Sequence, residues 1–96
     1  MAFIGMDVEA VRQLATQMDS KATDIDTIMN TLNSTLGNTD WLGTDATNFR
    51  NDWSTVHMVN LRNVANALRN AATAARTNAT EQDNAACCQR HQASDR

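Results

Sequence analysis

Between Met6 and Leu36 the apolar residues Val8, Val11, Ala15, Met18, Ala22, Ile25, Met29, Leu32 and Leu36 recur at alternating steps of three and four. That unbroken heptad seam predicts one amphipathic helix over about 7–36. Asp7 stands where an N-cap belongs, and Met6 with Val11 has the spacing of a hydrophobic staple. Gly37 follows the last seam residue, in the place of a left-handed glycine that would stop the helix. At about 1.5 Å per residue such a helix is on the order of 45 Å long.

A second seam reads Ala46, Phe49, Trp53, Val56 or His57, Leu61, Val64 or Ala65, Leu68, Ala71 or Ala72, and Ala75. It predicts a helix over about 44–83, capped by Thr44 or Asp45. The spacing slips by about one residue between Trp53 and Leu61, so packing there is expected to be less regular. Large side chains gather near the start of this helix, with Phe49 and Trp53 expected to pack against the Leu32 to Leu36 end of the first. Alanines dominate further out; they let helices approach closely but bury little area each. The break at 37–43 is short enough to force an antiparallel hairpin over residues 1–83. Residues 84–96 lose the seam and read as a flexible tail.

Two helices alone leave much of both seams facing water. The expected remedy is pairing with a second hairpin into an antiparallel four-helix bundle, through Val11, Met18, Ile25, Met29, Leu32, Leu61 and Leu68. The fold class expected is therefore all-α, a helix-turn-helix hairpin that dimerises.

Composition narrows the function. The chain has 96 residues and a net charge of −3, and of its eight cations only Lys21 is lysine. Nucleic-acid affinity comes mostly from phosphate neutralisation, so a nucleic-acid partner is not expected. No stretch approaches the roughly 20 apolar residues of a membrane span. Met1-Ala2-Phe3-Ile4-Gly5 lacks a basic or apolar leader pattern, so no cleaved signal peptide is expected. Proline is absent, as suits a helical protein.

The chemistry-bearing residues are sparse. Cys87 and Cys88 are adjacent and cannot staple a core; with His91 they make a poor metal set, and free thiols or an interchain disulfide are the readings left. His57 stands alone, and the Met residues at 18, 29 and 58 read as seam fillers. Arg62, Arg69 and Arg76 recur every seven residues, as do Asp19 and Asp26. Folding about residue 40 would set Asp19 near Arg62 and Arg12 near Arg69, most simply as solvated flanks. No nucleophile–base pair, paired carboxylates or phosphate loop is evident, so neither an enzyme nor a cofactor is expected.

The corner itself reads Trp41-Leu42-Gly43-Thr44-Asp45-Ala46-Thr47-Asn48-Phe49-Arg50-Asn51-Asp52-Trp53. A tryptophan and a glycine two apart lie between two seamed helices, followed by Ala46, Phe49 and Trp53. For Trp41 the choices are a core residue folded over the hairpin end or part of a recognition surface, and the two are compatible. For Gly43 a positive φ or a close backbone approach is sufficient explanation.

Over about Met6 to Asp83 the chain resembles the W-x-G family of roughly hundred-residue proteins, the early-secreted-antigen-like substrates of type VII secretion. The resemblance implies a dimeric hairpin exported folded, without a cleaved signal, by a membrane-bound machine with a cytosolic ATPase. It also implies a composite export signal, in which the Trp41 and Gly43 corner sits beside a Tyr-x-x-x-Asp/Glu motif on the partner's C-terminal tail. This chain has no tyrosine, and Thr77-x-x-x-Glu81 keeps only the acid. The expectation is an export substrate or co-substrate paired with a second hairpin of this kind: a related chain that supplies the tyrosine is favoured, and a second copy is the other choice. The alternative is an intracellular hairpin adaptor that scaffolds a partner and is not exported.

Overall fold

The computed structural model describes residues 7–94, with side chains through Ala85. Among them only Asp7 and residues 39–43 lie outside a helix. Helix α1 spans Val8–Asn38, α2 spans Thr44–Asp52, a five-residue π turn spans Trp53–His57, and α3 spans Met58–Ser94. α1 packs antiparallel on α3 as a hairpin. The radius of gyration is 21.7 Å and the molecule measures 78 × 17 × 17 Å. A globular chain of this length would have a radius near 12–13 Å, so the hairpin is a rod with little interior.

Asp7 caps α1 as its position suggests, its carboxylate accepting the Ala10 amide at 3.1 Å. The Met6 staple lies outside the described residues. Gly37 does not end α1. The helix runs through it to Asn38, and Gly43 is the only described glycine with positive φ. Other groups serve the terminal carbonyls: the Thr39 hydroxyl donates to Thr35 O at 2.5 Å and the Thr39 amide to Leu36 O at 3.4 Å. The Thr35 and Leu36 carbonyls thus find partners without a left-handed glycine. Neither Thr44 nor Asp45 caps the second helix; Gly43 occupies that position with no side-chain bond. The backbone is helical past Asp83 through Ser94, so the segment read as a tail begins as a continuation of α3.

The core is narrow. Ala15, Ala22 and Met29 are buried on α1, and Ala65, Ala72 and Ala79 on α3, each set at seven-residue intervals. This resolves two open choices in the seam, toward Ala65 over Val64 and Ala72 over Ala71. Ala46 and Trp53 complete the buried set, so six of its eight members are alanine. Each alanine methyl contributes on the order of 0.8 kcal/mol, against about 1.5–3 for a full leucine-sized side chain. Close helix approach here comes with weak apolar stabilisation.

The slip between Trp53 and Leu61 has a physical form. Trp53 and Ala65 are twelve positions apart, which a straight α-helix would place about 120° apart around its axis. The π turn absorbs one residue, and eleven positions make close to three full turns. Trp53 therefore returns to the line of Ala65, Ala72 and Ala79. Within the turn the Met58 amide reaches back to Trp53 O. The Ser54 and Thr55 hydroxyls both donate to Asn51 O, at 3.1 and 2.7 Å. Such back-bonding competes with the helical ladder and bends it.

The register also differs from a fold about residue 40. Asp19 pairs with Arg76 at 2.7 Å, Arg12 with Asp83 at 3.6 Å, and Asp26 with Arg69. Each α1 residue meets a partner two heptads beyond the tight-turn expectation. The pairing of α1 with the return helix is concentrated in α3, while α2 and the π turn, fourteen residues together, meet α1 only near its C-terminal end.

Candidate functional site: the hairpin corner and its two flanks

Around the alanine seam, the two flanks of the rod differ in chemistry. On one side the three ion pairs climb at heptad intervals, 12 with 83, 19 with 76 and 26 with 69. On the other lie Val11, Met18 and Ile25 of α1 with Leu61, Leu68 and Ala75 of α3, all half-buried. Leu14, Ile28 and Leu32 of α1 and Val64 of α3 extend that flank and are exposed. Of the residues expected to form a seam between hairpins, Met29 is instead fully enclosed by the hairpin itself. The others remain half-covered or, for Leu32, 47% exposed. A single chain thus closes one position in seven and leaves the neighbouring apolar position to water.

The corner is organised by a residue that the seam pattern does not single out. Arg50 donates from one guanidinium nitrogen to Trp41 O at 2.7 Å and from another to Thr39 O at 3.0 Å and Leu36 O at 3.3 Å. Leu36 O is among the terminal carbonyls of α1, where the helix carries partial negative charge. α1 has no basic residue in its last turn, and Arg50 is the only cation between Lys21 and Arg62. That gap is the sequence signal that could have found it. Arg50 stands twelve positions before Arg62, as Trp53 does before Ala65, so the π turn brings it to the charged flank.

The aromatic residues divide their work. Trp41 stacks at a tilt on Phe49, with ring centres 5.5 Å apart, and the Arg50 guanidinium carbon lies 5.9 Å from the Trp41 ring centre. Trp41 remains 38% exposed and is both packed and presented. Phe49 is not a core residue; it covers Trp41 and keeps 44% of its surface. Trp53 is 8% exposed and donates its indole N–H to Asn33 Oδ1 at 3.1 Å. A small apolar cleft of about 200 Å³ opens between Leu32, Leu36, Phe49 and Trp53, with Thr35 and Thr39 at its rim.

Gly43 has φ 110°, and a Cβ there would meet nothing within 4 Å. Of the two explanations for this glycine, conformation holds and close approach does not. Its carbonyl accepts the Thr47 amide at 3.0 Å, the first bond of α2. Leu42 is 86% exposed. Within the tripeptide, then, Trp41 packs, Gly43 bends and Leu42 projects.

Among the described residues, no cluster of three or more potential metal ligands forms and no helix is long and apolar enough to cross a membrane. The readings of Cys87, Cys88 and His91 concern side chains outside the described set. His57 is exposed at the end of the π turn. No family model matches this chain, and no curated protein or solved structure matches it either.

Proposed function

We propose that this protein is an export-targeting module, a substrate or co-substrate of type VII secretion that works as a dimeric helical hairpin of the W-x-G kind. The observation that carries the reading is the presented corner: Trp41 is braced by Phe49 and Arg50 yet part-exposed, and Leu42 stands almost free beside it. An exposed apolar corner is a liability for an isolated protein and an asset for one that must be recognised.

The one-sided apolar flank supports the dimeric half of the proposal. With ion pairs on the opposite side, a second hairpin has one face on which to pack, and a four-helix bundle would cover Met18, Ile25, Leu32, Leu61 and Leu68. The partner in this reading is a related hairpin carrying the tyrosine motif that this chain lacks. The export ATPase is the second partner, and the destination is outside the cell.

The test is co-expression with a tyrosine-motif partner in a host carrying the secretion machine. Wild type should accumulate in the supernatant, and Trp41→Ala should fall at least tenfold at unchanged intracellular level. Equal export of the two removes the corner from the signal. Sedimentation at micromolar concentration checks the pairing, and a well-folded monomer with no partner would sink it.

A further inference from the structure

We infer that Arg50 is the positioning residue of the corner: it fixes Trp41-Leu42-Gly43 from within the single chain, so that the export signal is shaped before any partner arrives. The inference rests on the export reading for its consequence, but not for its physical content.

Residues 39–43 have almost nothing else to hold them. They lie outside any helix, and the backbone bonds involving residues 39–42 are Thr39 N–H to Leu36 O and Trp41 N–H to Thr39 O. Two of these five carbonyls, those of Thr39 and Trp41, accept from Arg50. Its third bond, to Leu36 O, anchors the same guanidinium on the end of α1. A planar group with five donors can serve three carbonyls at once, whereas an ammonium acts as a point charge. The same side chain lies against the Trp41 ring, so one residue sets both the backbone path and the ring.

The placement of Arg50 follows from the charged flank. Arg69 and Arg76 each meet an aspartate across the stem. Arg50 falls on the same line once the π turn is allowed for, but α1 is about to end there. The carbonyl terminus takes the place of the carboxylate. The ladder of charges and the shape of the corner are thus one continuous arrangement, and the corner inherits its position from the register of the stem.

Hydrogen exchange on the full chain tests this, comparing wild type, Arg50→Gln, Arg50→Lys and Arg69→Gln. Arg69→Gln breaks a stem ion pair and reports what a loss of stability alone does. Arg50→Gln should speed exchange of the two bonded corner amides, those of Thr39 and Trp41, at least tenfold, with α3 around Ala72 unchanged. Arg50→Lys, which keeps the charge but not the fork, should fall between. Corner exchange at the wild-type rate in Arg50→Gln overturns the inference, as does an equal acceleration in Arg69→Gln. If Arg50→Gln proves unfolded by circular dichroism, Arg50→Lys decides by the same comparison. Export is read separately: a loosened corner exported normally leaves the positioning role standing and removes the pre-shaped corner from the export signal.

Discussion

In the stem, α1 and α3 meet through alanines such as Ala22 and Ala72, with ion pairs repeated every seven residues beside them. In the corner, five non-helical residues depend on one guanidinium, one glycine conformation and two stacked rings. The stem is a repeated structure in which every heptad does the same small thing. The corner is a single arrangement with no repeat behind it. Damage should therefore spread and average in the stem when it touches charges, but concentrate in the corner.

The stem has one sensitive feature, its small seam. Ala72 is fully buried in the alanine seam between the helices, so Ala72→Leu must push them apart. Overpacking of this kind costs about 1–3 kcal/mol, which for a chain of this size lowers Tm by on the order of 10 °C. Thermal unfolding checks it, at a fixed protein concentration because the stability of any associated form depends on concentration. An unchanged Tm would mean that the alanines are not in close contact, and the contrast with the aromatic corner would lose its basis.

A smaller effect is expected from the ion pairs. Arg69 and Asp26 are each more than a third exposed, so solvent screens their attraction. Arg69→Gln should cost at most about 0.5–1 kcal/mol, less at high salt, and a double-mutant cycle with Asp26→Asn should give a coupling of that size. A coupling of several kcal/mol would show that the stem, like the corner, hangs on individual residues.

How far the sequence foretold this depends on whether a feature is periodic. The two helices, the hairpin and the heptad lines follow from spacing alone, because burial recurs with the helical repeat. The exact burial does not. Spacing marks Met18 and Ala22 alike as seam, and only the small separation of two alanine-lined helices sets Ala22 inside and Met18 at the edge. The corner was legible in Trp41 and Gly43, residue types that a turn must justify. Arg50 left only an indirect trace, the lack of any other Lys or Arg between Lys21 and Arg62, because its partners are backbone carbonyls, which no residue letter records. The register was misplaced by two heptads for a related reason: the letters show where the chain breaks, not how much helix follows before pairing resumes.

The π turn tests whether that register is a property of the stem or of the corner. One residue of Trp53–His57 is surplus to the α-helical repeat, and removing it should leave Trp53 and Arg50 on their present lines. Deletion of Thr55 takes out one of the two hydroxyls that bond Asn51 O, which leaves only Ser54 to compete with an ordinary helical bond there. The expected change in stability is within about 1 kcal/mol, because a straightened helix regains ladder bonds while losing the hydroxyl contact. Deletion of Ala67, in the regular part of α3, removes one residue with no bulge to absorb it. It should turn everything before it by about 100° and take Trp53 out of the seam. Unfolding of both variants, followed by Trp53 burial and the hydrogen exchange of residues 39–43, gives the comparison. If loss of Thr55 disrupts the corner as badly as loss of Ala67, the bulge is not a spare residue carried in the helix. It would then be a required bend, and the corner would depend on the path of the rod as well as on Arg50.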